Sequence, residues 1–200
     1  MALRCRCGNV RGVATDLSPT SGNRLVCYCD DCQAFARFLG RPDVLDAHGG
    51  TDICQMAPSR VRITEGAASL RSMRLAPKGL LRWYTECCRT PVANTLSARV
   101  PFAGIIHSFM DFATDGRSPD EAIGKPIGFI HGRFARGGDH AHIHRTAPFG
   151  VILRSARLII GWWIAGRGTP SPFFDEKTRE PRALPHVLSD VERDALNTVT

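Results

Sequence analysis

Seven of the eight cysteines fall into three tight groups: Cys5 and Cys7, then Cys27, Cys29 and Cys32, then Cys87 and Cys88. A C-x-C pair or two adjacent cysteines rarely reach comfortable disulfide geometry with each other. Such groups read as metal ligands. Zinc is the expected metal, because it accepts thiolates in four-coordinate geometry. The spacings that usually hold iron–sulfur clusters are absent. Cys5 and Cys7 present two sulfurs from one short turn, and Cys87 and Cys88 are the late cysteines that can complete a closed site. A site built this way ties the ends of a β-domain together and contributes to folding directly. The middle group offers three sulfurs within six residues, at a turn from strand to helix, where a helix N-terminus lowers thiol pKa values. If its fourth position is open, the site has the form of a catalytic zinc. Asp30, Asp31, a histidine or one of the late cysteines would close it and make it structural.

At 200 residues the chain is long enough to bury a core without disulfides. Its net charge of +7 comes almost entirely from arginine, with three lysines. No basic run is dense, and aromatic residues do not interleave with the arginines, so nucleic acid is not the expected partner. The N-terminus has no apolar signal segment. The most apolar stretch, residues 149–165, contains Arg154 and Arg157 and is short for a membrane span. The expectation is a cytoplasmic protein with no membrane partner, in a compartment that keeps thiols reduced.

Turn signals and alternation mark the first hundred residues as β-rich. Residues 70–75 and 80–84 read as antiparallel strands around the turn Ala76-Pro77-Lys78-Gly79, and the second delivers the chain to Cys87. Residues 32–39 read as a short helix. After Cys88 the character changes. Ser118 caps a helix start, residues 147–165 form the longest helix with Pro148 near its first turn, and Ser189 with Glu192 caps a short polar helix. Trp162 and Trp163 are expected to pack the long helix. Cys54 is expected in the core. The run His140, His142, His144 reads as a solvated loop, or as a further metal site.

Three segments together resemble the glutathione-dependent formaldehyde-activating enzyme family, to which centromere protein V belongs. They are Cys5-Arg6-Cys7-Gly8-Asn9-Val10-Arg11-Gly12, Cys27-Tyr28-Cys29-Asp30-Asp31-Cys32, and Trp83 through Pro91. The resemblance implies a mainly β (α+β overall) zinc-binding β-tent domain over residues 1–115, here followed by a helical extension over residues 116–200. It implies two zinc ions, one structural on Cys5, Cys7 and Cys88, and one held by Cys27, Cys29 and Cys32. The implied activity is of the carbon–sulfur lyase type: addition of a glutathione-like thiol to a small aldehyde, or the reverse. The family's late motif carries cysteine and glycine where this chain has Thr85 and Arg89, which leaves Cys87 as the substitute ligand. The alternative is a non-enzymatic zinc module that binds a protein or nucleic acid.

Overall fold

The computed structural model describes residues 1–138 and 142–197. In the first half of the chain the strands are β1 (Ala2–Arg4), β2 (Arg11–Ala14), β3 (Asn23–Cys27), β4 (Thr51–Met56), β5 (Val61–Glu65), β6 (Leu70–Arg74), β7 (Leu81–Thr85) and β8 (Pro91–Thr95), with helix α1 (Asp30–Phe38) after β3. Then follow β9 (Ala103–Ile106), α2 (Phe112–Asp115), α3 (Pro119–Ile123), β10 (Phe129–Ile130), α4 (Phe149–Ile164), β11 (Pro185–Val187) and α5 (Asp190–Asn197).

The fold is mainly β with a few helices. Strands β1, β2 and β5 form a small antiparallel sheet, and the other eight form a mixed sheet in the order β10-β3-β4-β9-β8-β7-β6-β11. The six inner strands pair antiparallel. The outer two, both from beyond residue 115, pair parallel to β3 and β6. The later part of the chain is therefore woven into both edges of the sheet that the earlier part builds.

Strands β7, β8 and β9 are buried along their whole length, because the centre of the sheet is covered on both faces. Alternation divides β7 between those faces. Leu81 and Trp83 enter a core shared with Leu3 and Val61 of the small sheet and with Phe173. Tyr84 meets Ala34, Phe35 and Leu39 at α1, together with Met73 and Leu188. The Trp83 indole lies 5.2 Å from the Phe173 ring and donates to Thr95 Oγ1 at 2.9 Å. The two short strands β2 and β5 approach closely, and a Cβ on Gly12 would stand 2.5 Å from the Arg62 carbonyl oxygen.

The hairpin expected over residues 70–84 is β6 and β7, paired antiparallel. Helix α1 begins at Asp30, two residues before the expected start, because Cys29 is its N-cap. The long helix is α4, entered through Pro148. Of its two tryptophans only Trp162 is buried; Trp163 is exposed, since neighbouring residues on a helix point about 100° apart. No described helix is long and apolar enough to cross a membrane.

Candidate metal centres

The β1–β2 turn and the β7–β8 turn meet, and they bring Cys5, Cys7, Cys87 and Cys88 together with all four sulfurs within 4.8 Å of one another. The first turn is closed by Gly8 N–H donating to the Cys5 carbonyl at 2.9 Å, with Gly8 at φ 79°, the left-handed region that glycine occupies freely. Val10 N–H donates to Cys5 Sγ at 3.2 Å. Sulfur–sulfur separations are 3.6 Å for Cys5–Cys7, 3.9 Å for Cys5–Cys87, 3.4 Å for Cys7–Cys87 and 3.8 Å for Cys87–Cys88.

The second turn is braced by residues with no ligand role. Arg6 N–H donates to Thr90 Oγ1 at 3.1 Å, and Arg41 reaches both the Cys88 carbonyl and Thr90 Oγ1. Thr85, which stands where the resembled family has a cysteine, pairs its hydroxyl with Cys88 Sγ at 3.4 Å. Arg89, where that family has glycine, has φ 56°. Its guanidinium lies 5.5 Å from the Phe38 ring and 5.7 Å from the Tyr84 ring, contacts that offset the backbone strain. Burial alone raises the Cys88 thiol, but hydrogen bonds with Thr85 and Thr90 outweigh it and bring the pKa down to about 5. Burial and the bond with Cys7 push Cys87 up to about 12.

The middle group is built differently. Cys27 ends β3, Cys29 caps α1 and Cys32 lies in its first turn, with the three sulfurs again within 4.8 Å. Cys32 N–H donates to Cys29 Sγ at 3.4 Å, so the helix terminus itself fixes that sulfur. Cys27 and Cys32 are buried among Leu25, Ile53, Ile106 and Ile130. Among the described residues no fourth histidine, cysteine or carboxylate joins them. Asp31, a candidate to close the site, instead pairs with Arg82 and Arg193 at 3.5 Å each.

Arg82 is the residue that the sequence reading missed. It is buried in the middle of β7, with Nη1 3.9 Å from Cys32 Sγ and 3.3 Å from Asn94 Oδ1, and its guanidinium lies 5.4 Å from the Phe35 ring centre. Burial works against its charge, but Cys32 and Asp31 outweigh that and raise its pKa. Hydrogen bonds with Cys27 and Cys29 hold Cys32 well below the usual thiol range, and Arg82 adds to that effect. Cys27 is pushed up by its bonds with the other two sulfurs. For Cys29 the bond with Cys27 lowers the pKa, while Cys32 and burial reverse this and take it to about 12. Negative charge thus gathers on the sulfur next to the guanidinium. The only sequence signal was a charged residue inside an otherwise apolar strand, which alternation alone reads as solvent-facing.

Cys54 is buried in the main core, and burial pushes its thiol up to about 12. His142 and His144 are exposed. The His142 ring lies 6.5 Å from that of His48, and His144 makes backbone bonds to Phe129 and Gly132. His140 lies outside the described residues. A cleft of about 370 Å³ opens beside Cys5, lined by Arg4, Arg6, Arg41 and Asp111.

The model of a family of unknown function, DUF6151, matches residues 1–183. Among curated proteins no match is found. A crystal structure of a Rhodobacter sphaeroides protein is similar at 17% sequence identity and a TM-score of 0.41, over 60% of this chain and 92% of that one.

Proposed function

The chain belongs to the DUF6151 family, and from its two sulfur clusters we propose a two-zinc protein whose three-sulfur site binds and activates a small thiol for addition to an aldehyde. The observation that carries this reading is the trio Cys27, Cys29 and Cys32, which no described histidine, cysteine or carboxylate closes. The order and spacing of the three cysteine motifs, which resemble the formaldehyde-activating enzymes, support the same reaction class.

Both clusters fit zinc by donor chemistry. Four thiolates about 2.3 Å from one zinc stand about 3.8 Å from each other in a tetrahedron, and the Cys5–Cys7, Cys5–Cys87, Cys7–Cys87 and Cys87–Cys88 separations of 3.4 to 3.9 Å lie near that edge. That site is closed and structural. At the trio, zinc would supply a Lewis-acid centre that lowers the pKa of an incoming thiol. The protein's part there is electrostatic and positional. Arg82 offsets the excess negative charge of three thiolates on a divalent ion and stands on the side of Cys32. The N-terminus of α1 holds Cys29 and orients the group. Ile53, Ile106 and Ile130 exclude water from the inner side. In the addition a carbon–sulfur bond forms at the aldehyde carbon, and the thiol proton ends on the former carbonyl oxygen.

The test is metal content together with catalysis. Purified protein should hold two zinc ions per chain, and Cys29→Ser and Cys88→Ser should each hold one. Zinc-loaded protein should accelerate formation of thiol–aldehyde adducts, and Cys29→Ser should not. One zinc per chain that survives both substitutions overturns the two-site reading. Two zincs without acceleration for any of several thiols overturn the reaction and leave a binding module.

A further inference from the structure

Helix α4 carries apolar residues on two faces, and only one of them is covered. Val151, Ser155, Leu158 and Trp162 recur at helical spacing and face the protein: Trp162 is buried, and Ser155 donates to Gln55 at 2.9 Å. The other face has no cover. Phe149, Ile152, Ile160, Trp163 and Ile164 lie on it, each between 52% and 77% exposed. These five side chains present an apolar stripe of a size that a soluble monomer seldom leaves open without a use for it.

The sequence around the helix is one-sided in charge. Residues 142–174 contain four arginines and no acidic residue. Arg154 and Arg157 flank one long edge of the stripe at helical spacing, and Arg99 borders an apolar groove on the other edge, beside Ile160 and Trp163. Among the described residues, none of Arg99, Arg154, Arg157 or Arg167 makes an ion pair with a carboxylate. An apolar stripe rimmed by uncompensated arginine, with aromatic residues near both ends, is the pattern of a helix that lies in a lipid interface.

We propose that α4 docks the protein on an anionic membrane surface, with its axis in the interface plane. Sixteen residues are too few to span a bilayer, and spanning is not what this geometry asks for. Phe149, Ile160 and Trp163 enter the acyl boundary while the arginines meet lipid phosphates, their stems lying along the apolar surface. A second copy of the chain would cover the same patch. It would also bring one arginine-rimmed face against another and set like charges side by side. A bilayer containing anionic lipid meets both the apolar and the charged requirement. The proposal does not depend on the metal reading.

The test uses the whole protein with vesicles of phosphatidylcholine alone and of phosphatidylcholine mixed with phosphatidylglycerol. Trp163 is a built-in probe, because Trp83 and Trp162 are already buried. Binding to the mixed vesicles should shift its emission to the blue and bring the protein down with the lipid, on the order of a hundredfold more tightly than with phosphatidylcholine alone. Arg99→Gln with Arg157→Gln should remove most of that preference. Ile160→Asp with Trp163→Asp should abolish binding, and unchanged metal content and far-UV circular dichroism would show that the variant still folds. Equal binding to both vesicles overturns the proposal. So does no binding to either, whether the protein then sediments as a monomer or as a dimer that Ile160→Asp with Trp163→Asp dissolves.

Discussion

The two sulfur clusters set the same atoms in opposite surroundings. In the four-sulfur group the candidate ligands come from two turns 80 or more residues apart, and the groups around them are threonine hydroxyls, backbone amides and Arg41. In the trio the ligands come from a single strand-to-helix turn, and the one strong neighbour is a buried guanidinium. The first arrangement joins distant parts of the chain, so a metal held there would contribute to the fold. The second joins nothing that β3 and α1 do not already join, so a metal held there would add little to the fold. Ligand count alone does not make this distinction; what surrounds the ligands, and what they connect, does.

The sharpest way to break that contrast is to remove one sulfur from each cluster. Cys5→Ala should cost on the order of 5 kcal/mol or prevent folding, because a metal that closes a long loop is lost. Cys29→Ala should cost about 2 kcal/mol, the scale of a helix cap and a weaker metal together. Urea denaturation of zinc-loaded protein measures both, and equal losses would show that the two sites do the same work. Next in size is Arg82→Met. Metal affinity at the trio should fall by about ten- to a hundredfold, as it does when other supporting groups around a metal are removed. Competition with a chromophoric chelator should place Arg82→Lys between the two and find the four-sulfur site unchanged. If both sites weaken together, Arg82 is supporting the fold rather than the trio.

A smaller effect is expected at the late turn. Arg89 sits at φ 56°, so Arg89→Gly should relieve strain while losing the ring contacts, and stability should stay within about 0.5 kcal/mol. Arg89→Ala keeps the strain and loses the contacts, and should cost about 1 kcal/mol in the same denaturation experiment. The least effect is one of titration at His107, whose ring stacks on Phe112 at 4.7 Å. His107 follows Ile106 of the trio's core, and burial holds its pKa below the ordinary value of 6.5 against the pull of Asp52. The unfolded chain therefore takes up the proton first. Stability from the neutral imidazole is present above pH 6.5, falls as pH drops toward the lower folded value, and levels off below it. Stability curves measured for the protein and for His107→Gln should differ in that window alone, and coincident curves would remove His107 from the account.

Much of this was legible in the residues, and the gaps have physical causes. Cysteine spacing pointed to both groups, because ligands close in sequence are close in space whatever the fold. The hairpin of β6 and β7 was legible because alternation and a Pro-Lys-Gly turn coincide there. Arg82 was hidden because alternation assumes one wet face, and β7 has none. The parallel edge strands β10 and β11 were hidden because two or three residues carry no period and their partners lie about a hundred residues away. Arg89 shows a different limit. A conformation that usually calls for glycine is here held by two aromatic rings, one of them on α1, and no local reading of the turn contains them.

Those edge strands also order events in time. Every cysteine of the two clusters precedes residue 89, whereas the edges at β3 and β6 are covered only by residues 129–130 and 185–187. As the chain leaves the ribosome, the cysteines can meet a metal while both flanks of the sheet still expose unpaired amides and carbonyls. The late segments then act as seals, and a nascent chain arrested before them would display two sticky margins for chaperones to guard.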